Sequence, residues 1–386
     1  MSQTQINQLT ANVNQLTGKV VDGKAEIADA ISEKGVAALG TDSFVTLAAK
    51  IRQLPTGTRR PYLYSVLPTN YATYDVARAK AGEYAIFAGG RDQAGTGQYT
   101  VEAISPDLTM VTLPDITSTY VSGGSVGSYA LFAPDGTLSN KIEAYNSDLT
   151  KVTVPVLSQT KHNVSEGASV GDYVLFGGGW TTAYVATVNA YNSSLVRSTP
   201  TALKTARIQM GGVGNGEYAL FIGGDNANGV SGTVDAYNSS LVRSNPITVL
   251  ARRKVDAVKF NDKVIISGGL ISSSVVSERS DTVEILDQSL VKTTMTILKG
   301  TSKDIVTKTA VIGEFLLMVT ESSVPTLESI KIDVFNSAMV RLPIELYASD
   351  YISKRTFLSV GDHAMLYGGK LDSSNLTSRV DVFKID

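Results

Sequence analysis

The sequence predicts a mainly β protein, a seven-bladed β-propeller preceded by a small α-helical N-terminal segment. Three observations support this prediction. A unit of 44 to 52 residues recurs seven times after residue 61. Each unit holds an apolar run and then an alternating run, as expected for successive strands of one sheet. A three-four spacing of apolar residues, typical of helices, is confined to the first 57 residues.

The seven units align on one residue that follows a short polar turn and begins an apolar run. These anchors are Tyr84, Tyr129, Tyr173, Tyr218, Lys263, Phe315 and His363. The run after each anchor, such as Ala219-Leu220-Phe221, is apolar throughout, which is typical of a strand buried on both faces. A period near 45 residues with several short strands per unit is typical of β-propellers.

Five units end the apolar run with two glycines, which permit a tight backbone at the end of the strand. The pairs are Gly89-Gly90, Gly178-Gly179, Gly223-Gly224, Gly268-Gly269 and Gly368-Gly369. A later run carries an aromatic or aliphatic residue at one equivalent position, namely Ile104, Tyr145, Tyr191, Tyr237, Leu286, Phe335 and Phe383. This combination resembles the kelch repeat over some 325 residues. The tryptophan that kelch repeats carry near their fourth strand is absent from every unit.

The number of blades follows from how the ring would close. The seventh unit ends after its third strand, whereas residues 62–68 resemble the fourth strands of other units. We therefore expect residues 62–68 to complete the last blade, which would remove the open sheet edges. The prediction is seven blades, or six if the divergent sixth unit does not form one.

The N-terminal residues predict two helical regions before a propeller domain at residues 58–386. In residues 1–22 a heptad seam predicts a short coiled-coil helix that joins copies of the chain as a dimer or trimer. The seam consists of Ile6, Leu9, Val13, Leu16 and Val20. The alternative is a single amphipathic helix that packs on its own protein. Residues 23–57 predict a helical hairpin, with Gly35 ending the first helix and Pro55 the second.

The hairpin sequence KAEIADAISEKGVAALGTDSFVTLAAKIRQL closely resembles a segment of tail-fibre and baseplate-associated proteins. Those proteins belong to tailed phages and prophages of Gram-positive bacteria. The resemblance covers about thirty residues of this chain. It implies a virion protein of the tail or baseplate region, made in the bacterial cytoplasm, whose N-terminal helices bind other tail proteins.

Composition excludes several classes of function. A net charge of −2 offers no basic field for nucleic acid, and no apolar run is long enough for membrane insertion. Zero cysteines and two dispersed histidines predict no metal and no cofactor. Because no catalytic motif is present, we expect a protein that is not an enzyme. A glycan depolymerase that uses paired carboxylates stays a less favoured alternative.

The loops that follow the glycine positions vary in length and are expected to share one face with the connections between blades. Trp180 and Tyr184 are the leading candidates for ligand binding, since sugars and peptides stack on such side chains. The other candidates are Arg91, Asp92, Tyr120, Arg207, Asp225, Asn226 and Arg252. The expected ligand is a glycan or protein of the host surface. The alternatives are that Trp180 packs on its own blade, or that the propeller binds only other particle proteins.

Overall fold

The computed structural model divides the chain into two compact units, residues 1–60 and Pro61–Ile385. It describes residues 17, 20–25, 27–28, 39, 41–44, 46–47, 60–119, 121–136, 138–274, 280, 282–296, 305–321, 331–344, 346–347, 356–369 and 379–385. In the first unit, residues 20–25 are α-helical and Val20 is 49% exposed. The other predicted seam residues, Ile6, Leu9, Val13 and Leu16, lie outside the described residues. No helix in the described ranges is long and apolar enough to cross a membrane.

The described part of the second unit contains seven four-stranded antiparallel sheets, each of which is one blade. The strand that opens the unit is β1 (Pro61–Pro68). Blades 1 to 3 consist of β2 (Ala77–Ala81), β3 (Tyr84–Ala88), β4 (Val101–Ile104) and β5 (Met110–Leu113); β6 (Val121–Val126), β7 (Tyr129–Pro134), β8 (Glu143–Tyr145) and β9 (Lys151–Val152); and β10 (Ala168–Val170), β11 (Tyr173–Gly177), β12 (Val188–Asn192) and β13 (Arg197–Ser198). Blade 4 consists of β14 (Gly211–Gly214), β15 (Tyr218–Ile222), β18 (Val234–Asn238) and β19 (Arg243–Ser244), with a separate hairpin of β16 (Asp225–Asn226) and β17 (Gly229–Val230).

The remaining blades follow the same order of strands. Blades 5 to 7 consist of β20 (Asp256–Phe260), β21 (Lys263–Ser267), β22 (Thr282–Leu286) and β23 (Lys292–Thr296); β24 (Ile305–Ile312), β25 (Phe315–Glu321), β26 (Lys331–Phe335) and β27 (Leu346–Tyr347); and β28 (Thr356–Val360), β29 (His363–Tyr367) and β30 (Arg379–Ile385) together with β1. The divergent sixth unit therefore forms a blade of its own, and the ring has seven blades.

The start and the end of the propeller meet in blade 7. Strand β1 pairs with β30, from Pro61 opposite Ile385 to Pro68 opposite Arg379. The order of strands in this sheet is β1-β30-β29-β28, so β1 takes the outer position that the fourth strand occupies elsewhere. This pairing places the first and the last strand of the propeller in one sheet and so closes the ring.

The second strand of each blade is apolar because its two faces pack against two different neighbours. In β15, Leu220 and Ile222 pack with Val264 of blade 5, whereas Ala219 and Phe221 pack with residues of blade 3. Side chains of a strand alternate between faces, so a strand buried on both faces needs an unbroken apolar run.

In blades 2, 3 and 4 the third strand carries a tyrosine whose hydroxyl links the blade to the chain segment that enters it. Tyr237 meets Phe221 edge to face with ring centroids 5.9 Å apart, and its hydroxyl donates to the carbonyl of Thr201 at 2.8 Å. The same contact recurs in Tyr191, which donates to Pro155 at 2.9 Å. A buried phenol stabilises the fold when its hydroxyl finds such a partner. These tyrosines are therefore packing residues.

The first strands surround the central channel and approach one another so closely that several positions require glycine. A Cβ atom added to Gly212 would lie 2.0 Å from the carbonyl oxygen of Glu166 in blade 3. A Cβ on Gly214 would lie 2.1 Å from the carbonyl of Ser169, and one on Gly123 would lie 2.0 Å from that of Arg78. Because the obstacle is backbone, it cannot move aside like a flexible side chain.

We expect Gly212→Ala to lower the free energy of unfolding by about 1–3 kcal/mol or more, since the methyl group forces blades 3 and 4 apart. Chemical denaturation followed by circular dichroism would measure the loss. Gly23→Ala is the control, because nothing lies within 4 Å of a Cβ atom at that helical position. A Gly212→Ala protein as stable as the unmodified chain would contradict this account of the close approach.

One ion pair crosses the central channel. Arg78 of β2 donates to the Asp256 carboxylate of β20 at 2.9 Å and to the carbonyl of Phe357 in blade 7 at 2.6 Å. Asp256 also accepts hydrogen bonds from the backbone and the hydroxyl of Thr309 in blade 6, and Lys308 lies 3.4 Å away. Arg78 therefore connects blade 1 to blades 5 and 7 from inside the ring.

Candidate functional site

The connections of the propeller fall on two opposite faces. In an antiparallel blade, the connection from the second to the third strand lies at the same end as the linker to the next blade. We call this end the loop face. The turns between first and second strands and between third and fourth strands lie at the other end. The predicted ligand-binding residues that the structure describes all belong to connections of the loop face.

The glycine pairs anchor the linkers of the loop face. Gly223 and Gly224 have φ values of +66° and +102°, and a Cβ on Gly223 would lie 2.3 Å from the carbonyl oxygen of Arg252. The amide of Gly224 donates to that same carbonyl at 2.8 Å. Equivalent bonds join Gly90 to Thr119, Gly179 to Arg207 and Gly369 to Thr73. The glycine pairs therefore have a structural role, because they let one blade bind the linker into the next.

Arg207 and Arg252, two of the predicted ligand-binding residues, are fully buried. Arg207 forms an ion pair with Asp235 and donates to the carbonyl of Thr233 at 2.8 Å. Arg252 forms an ion pair with Glu284 at 2.9 Å and donates to carbonyl groups of its own blade. This placement does not fit their assignment to an exposed binding surface: their guanidinium groups lie inside blades 4 and 5, where they stabilise the linkers.

An acidic residue that was not predicted as functional recurs two positions before the aromatic or aliphatic residue of the third strand. Its members are Glu102, Glu143, Asp235, Glu284, Asp333 and Asp381, with Asn189 in blade 3. Five of the seven accept a hydrogen bond from a backbone amide of the preceding linker, as Asp235 does from Lys204 at 2.9 Å. The signal was present in the sequence as a repeated acid in an otherwise apolar strand.

Blade 3 departs from this arrangement, because it combines a buried cation with a neutral residue at the acidic position. Lys161 is fully buried and donates to the carbonyls of Gly178 at 2.8 Å and Thr187 at 3.1 Å. Asn189 stands where blades 4 and 5 have Asp235 and Glu284. Burial lowers the pKa of Lys161 to about 7. Around neutral pH this side chain therefore loses its proton far more readily than a lysine in water.

This shifted pKa predicts that stability rises between about pH 7 and pH 10. In that range the unfolded chain still holds the proton of Lys161 while the folded chain has released it, so the free energy of unfolding increases with pH. The cost of burying the charge is fully present below pH 7. We expect a gain of up to a few kcal/mol, measured by denaturant titrations across this range. Lys161→Met removes the titrating group and should flatten the profile.

A second variant tests whether the missing carboxylate in blade 3 contributes to the low pKa of Lys161. Asn189→Asp supplies the carboxylate that blades 4 and 5 possess, so it should raise the pKa of Lys161 and also flatten the profile. An unchanged slope in both variants would show that another group produces the pH dependence.

Trp180 and Tyr184 meet on the loop face of blade 3. Their ring centroids lie 4.8 Å apart and the rings are nearly perpendicular, at 85°. Backbone bridges join Trp180 to His162 on one side and to Tyr184 on the other, which closes the loop between them into a tight turn. Both side chains are partly exposed. The structure therefore brings together the two aromatic residues that the sequence analysis favoured.

Polar groups of blade 4 follow this aromatic pair along the loop face, because the amide of Gly179 donates to the carbonyl of Arg207 at 3.0 Å and the next residue, Ile208, is bridged to Asp225. Burial raises the pKa of Tyr184, the negative charge of Asp225 adds to the shift, and the positive charge of Arg253 opposes it. Asp225 is only 7% exposed and accepts a hydrogen bond from the Ser273 hydroxyl at 2.6 Å. Arg253 donates to the side chain of Gln209 at 2.7 Å. We name Trp180, Tyr184, Asp225, Asn226 and Arg253 the loop cluster.

Within the loop cluster, Asn226 accepts a hydrogen bond from the Asn228 amide at 2.8 Å and so shapes the hairpin that also carries Asp225. The other described candidates outside the cluster and the buried arginines lie on blade 1. Arg91 lies on blade 1, and its guanidinium is 3.8 Å from the Asp75 carboxylate. Asp92 accepts a hydrogen bond from the amide of Thr96 and another from the Gln98 side chain, both in its own loop. Tyr120 lies outside the described residues.

A second group of charges acts on Asp135, in the loop that follows β7. Although part of Asp135 is exposed, removal of its carboxyl group from water by the surrounding protein raises its pKa to about 6. The positive charge of Lys254 opposes this shift, and the negative charges of Glu166 and Asp75 increase it. These residues come from blades 1, 2, 3 and 5, each just before a first strand or just after a second one. Within the described ranges, no three acidic or histidine side chains form a group that could hold a metal ion.

Comparison with solved structures agrees with this geometry. The chain is similar to a structure described as "Structure of YjhT", with a TM-score of 0.50 and 11% identity over 83% of this chain and 98% of the other. It is also similar to one described as "Streptogramin B lyase structure", with a TM-score of 0.55 and 7% identity over 85% of this chain and 98% of the other. The fold is a kelch-like seven-bladed β-propeller. At these identities the similarity extends to the fold alone. No family model and no curated protein sequence matches the chain.

Proposed function

We propose that this protein is a structural component of a phage tail or phage-tail-like particle whose propeller binds the host bacterial surface through the loop cluster. The resemblance of residues 24–54 to tail-fibre and baseplate-associated proteins supports the particle assignment. In this proposal residues 1–57 attach the chain to other tail proteins, and the helix of residues 1–22 joins copies as a dimer or trimer.

The observation that carries the binding role is the loop cluster itself. The repeated tyrosines of the third strands are buried and bonded to linkers, and Arg207 and Arg252 are bonded inside their blades. Trp180 and Tyr184 differ from these residues, because both aromatic rings are partly exposed beside a carboxylate and a guanidinium. Aromatic side chains that combine an apolar face with polar neighbours are typical of binding surfaces.

We expect Trp180→Ala to weaken binding of the full-length protein to intact host cells by about tenfold or more, which corresponds to roughly 1.4 kcal/mol. Binding of fluorescently labelled protein to cells would measure the change, together with competition against particle adsorption. The control is Tyr62→Ala, which removes an exposed aromatic from the outer strand of blade 7. Equal binding by the unmodified protein and Trp180→Ala would contradict a role for the loop cluster.

Deletion of the gene distinguishes adhesion from an assembly or decoration role. Particles that assemble but do not adsorb would support adhesion. Failure of assembly would favour the alternative, in which the propeller binds other virion proteins.

A glycan depolymerase is a second candidate because of Asp135. A carboxyl group with a pKa near 6 close to other carboxylates is a combination that glycoside hydrolysis uses, with one group as acid and another as base or nucleophile. Release of reducing ends from host polysaccharide, abolished in Asp135→Asn, would support this candidate. Its absence in the presence of saturable cell binding would exclude it.

A further inference from the structure

The aromatic pair of the loop cluster leaves ring surface available to a ligand. In an edge-to-face pair, the ring that presents its edge keeps both of its own faces clear of its partner. Trp180 and Tyr184 adopt this arrangement, and both are partly exposed. The apolar face of a pyranose ring packs well against such a surface.

The polar neighbours supply a hydrogen-bond acceptor for the ligand, whereas their guanidinium donors are already bonded to the protein. Asp225 offers carboxylate oxygens, of which Oδ1 already accepts from Ser273 at 2.6 Å. Carboxylates accept strong hydrogen bonds from hydroxyl groups. The guanidinium of Arg253 donates to Gln209 and to the carbonyls of Ser272 and Ser273, so it mainly holds the loops of blades 4 and 5 in place.

The charge of the cluster favours an uncharged ligand. The negative charge of Asp225 and the positive charge of Arg253 shift the pKa of Tyr184 in opposite directions. The two formal charges cancel, so the cluster has no net charge. Arg253 directs its donors to protein acceptors, whereas the carboxylate of Asp225 would repel an anion at the aromatic pair. A phosphate-rich or uronic polymer therefore meets no dedicated cation in the cluster.

We infer that the loop cluster binds an uncharged hexopyranose unit of a surface glycan, stacked on one ring of the Trp180–Tyr184 pair and in contact with the other, with a hydroxyl group donating to Asp225. This inference rests on the proposed function and names its ligand class.

The chain provides its own probe, because Trp180 is its single tryptophan. Full-length protein would be titrated at low salt with methyl glycosides of glucose, galactose and N-acetylglucosamine, and with methyl glucuronide as the anionic probe. We expect at least one neutral glycoside to change the tryptophan fluorescence saturably, with methyl glucuronide about tenfold weaker or worse. Equal or tighter binding of the glucuronide, or no response to any neutral glycoside, would overturn the inference.

Variants test the assigned roles. Asp225→Asn retains the shape of the side chain and should weaken the neutral glycoside about tenfold, since hydrogen bonds to charged groups are the stronger ones. Tyr184→Ala should cause a similar loss. Tyr99→Ala is the matched control, because it removes a 48% exposed tyrosine from blade 1. Glycoside binding that is unaffected by both Asp225→Asn and Tyr184→Ala would contradict the site.

Cell binding separates this inference from the proposed function. If the unmodified protein does not bind host cells at all, the adhesion proposal fails whatever the glycosides do. If it binds cells but binding survives periodate oxidation of surface sugars, adhesion stands and the hexopyranose inference fails. Binding that periodate abolishes supports both.

Discussion

Replacing Asp235 by alanine is expected to lower the free energy of unfolding by about 3–5 kcal/mol, because it leaves a buried guanidinium without its counter-charge. Asp235 and Arg207 are both fully buried. The carboxylate also accepts from Arg243 at 3.1 Å, from Asn245 at 2.7 Å and from the amide of Lys204 at 2.9 Å. The substitution leaves all these donors without their shared acceptor. The linker from blade 3 to blade 4 would lose the bond between the Lys204 amide and the third strand of blade 4.

Denaturant titration of the variants would measure this loss and its origin. Removing both charges with Arg207→Met and Asp235→Leu should recover the part of the loss that comes from the unpaired Arg207, because replacing a buried pair by apolar residues is often neutral. The part that comes from Arg243, Asn245 and Lys204 should remain. Asp262→Ala is the surface control: its ion pair with Lys263 is exposed, so little effect is expected. If Asp235→Ala and Asp262→Ala had equal effects, the buried acids of the third strands would not stabilise the linkers as argued.

The architecture was predictable because each blade repeats the same local pattern. A strand that packs between two neighbouring sheets cannot alternate apolar and polar residues, because both of its faces are buried. The unbroken apolar run Ala219-Leu220-Phe221 shows this pattern in the sequence. Trp180 and Tyr184 were also predictable as a pair. They are four positions apart in one short loop, so they stay close in space whatever the loop conformation. Local signals of this kind do not depend on the rest of the chain.

The wider site was not predictable, because it depends on how linkers turn and on which blades meet. Arg252 and Arg253 are adjacent in a linker without periodicity. Only the structure shows that the side chain of Arg252 is buried and that of Arg253 lies on the loop face. Successive side chains of an extended segment point to opposite sides, so the two neighbours can differ in this way. Asp225 and Ser273 are 48 residues apart and meet because blades 4 and 5 stack.

The cross-channel ion pair leads to the second large prediction. Asp256→Ala is expected to lower the free energy of unfolding by about 3–5 kcal/mol, because Arg78, Lys308 and Thr309 all lose their shared acceptor. Burial alone would raise the pKa of Asp256, but the charges of Arg78 and Lys308 and the Thr309 hydrogen bond outweigh it and lower the pKa. The stabilisation is therefore present above the unfolded pKa and is lost as pH falls through the folded pKa.

The location of the pair predicts where the loss appears. Arg78 joins blade 1 to blade 5 across the channel, a contact that neighbouring-blade packing does not supply, and Asp256 also accepts a hydrogen bond from the Thr309 amide of β24. Hydrogen exchange of Asp256→Ala should therefore accelerate most in the first strands β2, β20 and β24, and less in the outer strands of blade 3. Lys308→Met is the milder control, because that lysine is more exposed and lies 3.4 Å from the carboxylate. Acceleration confined to blade 5 would instead mean that Asp256 stabilises only its own blade, and that neighbouring-blade packing alone holds the ring closed.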